Sequence, residues 1–276
     1  MSESTDPSHV PIRINDWQDP RVAVFANLPR SGSDRRLHHD GVFVCEGRWV
    51  THRMLDSNVN PVAVLAREDL APEFVQAAGG RCPVYQMDKP AMDHLMGFEF
   101  HRGVIACGTR PAIPNADDFD RIRGRGLVVL DQIHTAENVG MILRSCAAFG
   151  IQDVWIGGGT IDPMRRRVTR VSMGAVFAQR FFHTTTVAAD LDRLRKRLDV
   201  TILATSLDKT ADSIRGYEVP ARRPQVLVLG NEAEGVAEQT QRIADRCLSI
   251  PMAPGVDSLN VAAAASIFLQ HLFGVD

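Results

Sequence analysis

Asn138-Val-Gly-Met-Ile-Leu-Arg144 stands just after the apolar run Gly126-Leu-Val-Val-Leu-Asp131, and this pairing sets the reading of the chain. The run suits a buried parallel strand. In the segment that follows, Asn138 can cap a helix and Gly150 can end it. Val139, Ile142, Leu143 and Cys146 can face a core, and Gly140 leaves room for close backbone approach. Arg144 then falls mid-helix among apolar neighbours. By spacing alone such an arginine reaches solvent or pairs with a carboxylate.

Two later stretches extend the pattern. Leu229-Gly-Asn-Glu-Ala-Glu-Gly235 follows a strand predicted over Gln225–Leu229, where a glycine lets a ligand touch the backbone. Ile250-Pro-Met-Ala-Pro-Gly-Val-Asp-Ser-Leu-Asn-Val261 reads as a loop entering a helix, with Asp257 or Ser258 as its cap. Ala262 to Ala265 give that helix a small-residue face. Further strands are predicted at 153–156, 200–204 and 246–250, with helices between them. Such alternation predicts a mostly parallel sheet covered on both faces. Upstream, strands at 41–46, 61–66, 83–86 and 103–107, with helices from Arg48 and over 68–78, form a smaller α/β unit. The expected organisation is an extension over 1–20, a first domain over 21–110, a Pro-rich acidic linker over 111–122 and a second domain over 123–276.

Composition narrows the class. Of the 276 residues, 45% are hydrophobic and 23% charged, as in ordinary globular proteins. No apolar run is long enough to span a bilayer, and the polar N-terminus lacks a secretion signal, so a cytoplasmic location is expected. None of the five cysteines has CxxC spacing, which predicts buried free thiols and no metal site. The net charge of -2 does not announce nucleic acid, yet arginines cluster at 30–36, 121–125 and 165–170. Lys89, Lys196 and Lys209 are the only lysines; a GC-rich genome would explain this excess of arginine over lysine but not the clustering, which suits local phosphate-binding patches. Aromatic residues make up 6%, so recognition by shape and phosphate contacts is favoured over a row of stacking rings. Gly157-Gly-Gly159 is not GxGxxG and no Walker A lysine is present, which argues against a nicotinamide dehydrogenase or a P-loop enzyme. His38, His39 and His101 read as surface residues.

In this order, the stretches at 138–144, 229–235 and 250–261 resemble the three motifs of the SpoU/TrmH family of RNA ribose methyltransferases, within the SPOUT class. The resemblance implies an α/β fold: a C-terminal trefoil-knotted parallel-sheet SPOUT domain behind a smaller N-terminal α/β RNA-binding domain. Glu46-Gly47-Arg48 matches that N-terminal domain's commonest local pattern. Also implied are S-adenosylmethionine as cofactor, rRNA or tRNA as substrate, a homodimer, and neither DNA nor membrane as partner. By the same resemblance Arg144, Asn138, Glu232, Ser258 and Asn260 are catalytic. Leu229, Gly230, Ile250, Met252, Leu259 and Ala262 bind the cofactor. The stretch 165–177 resembles a family segment through Arg170, Ser172 and Gly174, which adds Arg165, Arg166 and Arg170 to Arg30, Arg35 and Arg36 as RNA contacts. The chain departs from the family at Thr135-Ala136, where Asp-Pro is usual, and at Ala233, where glycine is usual. A ribose hydroxyl is a weak acid and arginine stays protonated, so Arg144 is expected to stabilise the developing alkoxide. A base role is proposed for the family and stays open. An inactive RNA-binding protein with this fold and a SPOUT base-nitrogen methyltransferase are the alternatives, with Asn138, Gly140 and Arg144 favouring ribose chemistry.

Overall fold

The computed structural model describes residues 10–29, 35–208, 210–220, 223–231 and 233–274. The chain divides into two compact units: Met1–Pro111 with Met164–Phe177, and Ala112–Pro163 with Ala178–Asp276.

The first unit contains, in chain order, β1 (Ile12–Arg13), α1 (Arg35–His39), β2 (Val42–Glu46), α2 (Arg48–Leu55), β3 (Pro61–Arg67), α3 (Ala71–Ala78), β4 (Val84–Met87), α4 (Lys89–Met96) and β5 (Val104–Thr109). The sheet order is β1-β4-β3-β5-β2, with β5 antiparallel to both neighbours. The four strands expected here are present, and α4 is an addition to them. Its start is chemically marked, because Asp88 accepts from Ala91 N at 2.8 Å and Pro90 occupies the first turn. β1, within the stretch read as an irregular extension, pairs with β4. Phe25, Val44, Leu65, Met87, Leu95 and Ile105 belong to one buried core.

The second unit opens with β6 (Gly126–Leu130), α5 (Ala136–Ala148) and β7 (Asp153–Ile156). The chain then enters the first unit for α6 (Arg166–Val171). It returns with β8 (Arg180–His183), α7 (Val187–Arg197), β9 (Thr201–Thr205), β10 (Asp212–Ser213), β11 (Gln225–Leu229), α8 (Glu238–Ile243), β12 (Arg246–Ser249) and α9 (Val261–Phe273). The seven strands run β10-β12-β9-β11-β6-β7-β8, every neighbouring pair parallel. Leu127 to Leu130 are fully buried, each contributing about 1.5–3 kcal/mol, which is why the central strand reads as an unbroken apolar run. Leu127, Val129, Trp155, Ile202, Val226 and Leu191 share one core. α9 packs against α5 and β11.

Three sequence expectations are corrected. Residues 164–177 pack with the first unit, not with the domain expected over 123–276. The reason is Glu46, 4% exposed, which accepts from Arg166 Nη1 at 3.1 Å and Arg170 Nη1 at 2.7 Å. Arg53 Nη1 also donates to Met173 O at 2.7 Å, and Phe43 and Phe177 stack with ring centroids 5.6 Å apart. Second, only Cys45, Cys107 and Cys146 are fully buried, while Cys82 and Cys247 are half-buried. Burial pushes the thiols up, Cys107 to about 12, so none is a ready nucleophile. Third, the helix caps shift. Thr135, not Asn138, caps α5, and Asn260, not Asp257 or Ser258, caps α9.

Candidate active site

The carboxyl ends of β9, β11 and β12 and the first half of α9 border one cavity of the second unit. In an open parallel sheet, ligands bind at this edge. Its wall includes Thr205, Ser206 and Leu207 after β9, and Gly230, Asn231 and Gly235 after β11. Ile250, Met252, Ser258 and Leu259 come from the loop after β12, and Val261, Ala264 and Phe268 from α9. Val261, Ala264 and Phe268 recur at helical spacing and so share a face.

Gly230 is fixed by a close approach. A Cβ there would collide with the backbone of Gly235 and Val236, so no other residue fits this turn. Asn231 closes the turn from inside: its Oδ1 accepts from Ala233 N at 2.6 Å and Glu234 N at 3.3 Å.

The first and third sequence stretches meet through two asparagines. Thr135 Oγ1 accepts from Asn138 N at 3.3 Å, which leaves the Asn138 side chain free of capping duty. Asn138 is buried one turn into α5, and its Oδ1 accepts from Asn260 Nδ2 at 2.9 Å. Asn260 uses its other end as the α9 cap, accepting from Ala262 N at 2.9 Å and Ala263 N at 3.3 Å. A second link, Ser145 Oγ to Ser266 Oγ at 2.9 Å, joins the same two helices. Asp131, at the end of β6, is buried, and loss of water holds its carboxyl above the usual carboxylate range.

The expected site residues are distributed unevenly. Gly230, Ile250, Met252, Leu259 and Ser258 line the cavity. Leu229 and Ala262 are buried and outside its lining, the Leu229 carbonyl being taken by Asp131 N at 2.9 Å. Arg144 lies on the exposed face of α5, one turn from Met141, and is not part of the cavity wall. Among the described residues it has no hydrogen-bond or ion-pair partner. Glu232 and Arg30 lie outside the described residues, as does the side chain of Arg35. Arg36 is exposed and donates to Ala26 O at 3.0 Å. Arg166 and Arg170 are committed to Glu46, and Arg165 precedes them at the start of α6. Sequence reasoning gave no site role to Thr205, Ser206, Leu207, Asn231, Gly235, Val261, Ala264 and Phe268. The strand-end position after β9 and the helical repeat in α9 were signals for most of these.

The SpoU rRNA Methylase family matches residues 126–270. An uncharacterized tRNA/rRNA methyltransferase of Mycobacterium bovis is 30% identical over 259 residues, 92% of this chain and 88% of the relative. The 23S rRNA (guanosine-2'-O-)-methyltransferase RlmB of Acinetobacter baylyi is 28% identical over 192 residues, covering 68% of this chain and 77% of that protein. Among solved structures, an AdoMet-bound rRNA methyltransferase from Sinorhizobium meliloti superposes with a TM-score of 0.77 at 24% identity, covering 94% of this chain and 96% of that one.

Proposed function

The chain belongs to the SpoU rRNA methylase family, and on that premise we propose that it transfers a methyl group from S-adenosylmethionine to a ribose 2′-oxygen of structured RNA. The observation that carries the reading is the Asn138–Asn260 hydrogen bond at 2.9 Å, which ties the arginine-bearing helix to the loop and helix that wall the cavity. The wall fits the cofactor chemically. Ile250, Leu259 and Phe268 offer apolar surface, while Thr205, Ser206 and Ser258 offer hydroxyls and the Gly230 turn offers backbone groups. Bound S-adenosylmethionine supplies an electrophilic methyl group.

The chain's own residues then have separable tasks. Asn138 and Asn260 hold the junction rigid, Ser258 faces the cavity, and Arg144 stabilises negative charge on the attacking oxygen. Arg144 stands outside its own cavity wall, which supports a homodimer in which it serves the partner's site. Met141, 49% exposed on α5, and Ile267, 42% exposed on α9, supply apolar surface for such a contact. The loop over 250–260 running into α9, packed on α5 and β11, supports the trefoil knot that belongs with this family. The first unit, with Arg36, is read as the RNA-binding domain. Ribosomal RNA, named for the relative from Acinetobacter baylyi, is the first substrate to try, transfer RNA the second, and a cytoplasmic location accords with either. Among the described residues no helix is long and apolar enough to cross a membrane.

The test is methyl transfer into unmodified 23S rRNA and tRNA transcripts, followed by nucleoside analysis for 2′-O-methylation. Arg144→Ala is expected to lower the rate by ~10²–10³, the value of a lost transition-state contact of ~3–4 kcal/mol, with cofactor affinity within a few-fold. Arg144→Lys should recover little, since lysine lacks the planar fork. Near-normal turnover in the alanine variant would make this arginine structural. Methyl appearing on a base nitrogen would replace the ribose reading.

A further inference from the structure

One histidine outside the motifs is held beside the cavity in a single hydrogen-bonding state. The turn after β6 is anchored by Thr160, whose Oγ1 donates to Leu130 O at 2.9 Å and accepts from Ile133 N at 3.2 Å. Ile161 N donates to Ile133 O at 3.0 Å, and Gln132 adopts a φ of 58°. This leaves His134 exposed at the tip. Asn231, a cavity-wall residue, holds the turn with its amide nitrogen, 3.3 Å from Gln132 O and 3.2 Å from His134 Nδ1. The amide cannot be reversed, because its oxygen already accepts from the backbone of Ala233 and Glu234. An amide nitrogen only donates. His134 Nδ1 therefore accepts, and the ring proton sits on Nε2.

Nε2 lies over a ledge without side chains. A Cβ added to Gly159 would stand 3.3 Å from it, and one added to Gly158 would meet nothing within 4 Å. Both glycines are exposed. In this state Nε2 is a donor, so His134 is unsuited to take the ribose proton and suited to hold an acceptor. Reading a base edge takes several convergent groups. A lone donor above a bare glycine ledge fits a phosphate oxygen of a strand crossing it.

Resting on the RNA methyltransferase reading, we propose that His134 is a substrate-binding residue whose Nε2–H donates to a phosphate oxygen flanking the methylated ribose, with Asn231 as its positioning residue. The test measures methyl transfer by the full chain into the 23S rRNA or tRNA transcript that the wild type methylates best. His134→Ala is expected to raise KM for RNA by about tenfold, the scale of a hydrogen bond to a charged group, with kcat and KM for S-adenosylmethionine unchanged. His134→Gln, which can place a donor near the Nε2 position, should recover most of the loss. The salt slope of RNA binding should stay unchanged, since a neutral donor displaces no counterion. A methylphosphonate linkage beside the target nucleotide should weaken the wild type and leave His134→Ala unaffected. An unchanged KM in His134→Ala, failure of glutamine to rescue, a reduced salt slope, or no coupling to the methylphosphonate would each overturn the inference. No methyl transfer by the wild type into any RNA would instead overturn the functional reading beneath it.

Discussion

Asp131 ends the central strand with a carboxylate that the fold has largely taken out of water. The residue is buried, and its Oδ1 lies 2.8 Å from where a Cβ on Gly157 would sit, so the missing side chain there makes its room. Burial raises its pKa, which means that the folded state holds the proton more tightly than the unfolded chain does. Its stabilising contribution is therefore full below the unfolded value of about 3.9 and is lost as pH rises through the elevated folded value. At neutral pH the buried charge opposes folding. Asp131→Asn should accordingly melt at a higher temperature than the wild type at pH 7, with the gap closing as pH approaches 4. Calorimetry at pH 7, 6, 5 and 4 checks this, and a gap independent of pH would remove the electrostatic explanation. Nearby, Asn138 shows what was legible and what was not. Its helix and spacing to Arg144 could be read, but its role as a cap could not stand, because Thr135, three residues earlier, offers a hydroxyl to Asn138 N. The bond from Asn260 crosses 122 residues of chain, and no local pattern announces it.

At the scale of elements, strands with long apolar runs were legible, and those with two paired residues were not. β1 and β10 carry no periodicity to detect. The start of α4 was written in Asp88 and Pro90 and could have been read. The packing of α6 could not, since its position between β7 and β8 says nothing of which unit covers it. Glu46 decides that, by joining Arg166 and Arg170. Removing the carboxylate takes one charged acceptor from two partly buried guanidiniums, while Arg166 keeps its bond to Pro29 O. Glu46→Ala should then cost on the order of 3 kcal/mol at most, given their partial exposure. It should also open 164–177 to trypsin at Arg165, Arg166, Arg167 and Arg170. Urea unfolding measures the first effect, and limited proteolysis with mass spectrometry the second. Cleavage no faster than in the wild type would show that Arg53, Phe43 and Phe177 suffice to hold the segment.

For the whole molecule, the two-unit α/β organisation was legible because βα alternation persists on both sides of Pro111. The assembly is a different matter, since one chain's sequence does not show which exposed face meets a copy of itself. The placement of Arg144 makes the question testable. If it serves the partner's cavity, a site needs Arg144 from one protomer and an open cavity from the other. Ala264 lines the cavity, so Ala264→Phe should block the cofactor while leaving Arg144 intact. Arg144→Ala does the reverse. Each homodimer should be inactive. Mixed and re-equilibrated in equal amounts, half the dimers become mixed, and each mixed dimer contains one complete site of two. With isologous two-fold pairing, activity should return to about a quarter of the wild-type value. Light scattering would verify the dimer, and the methyl-transfer assay would read the recovery. If Arg144 acted on its own chain's cavity, neither protomer would hold a complete site and mixing would restore nothing. The recovered fraction thus decides, without any structure of the assembly, whether the exposed guanidinium belongs to the neighbouring active site.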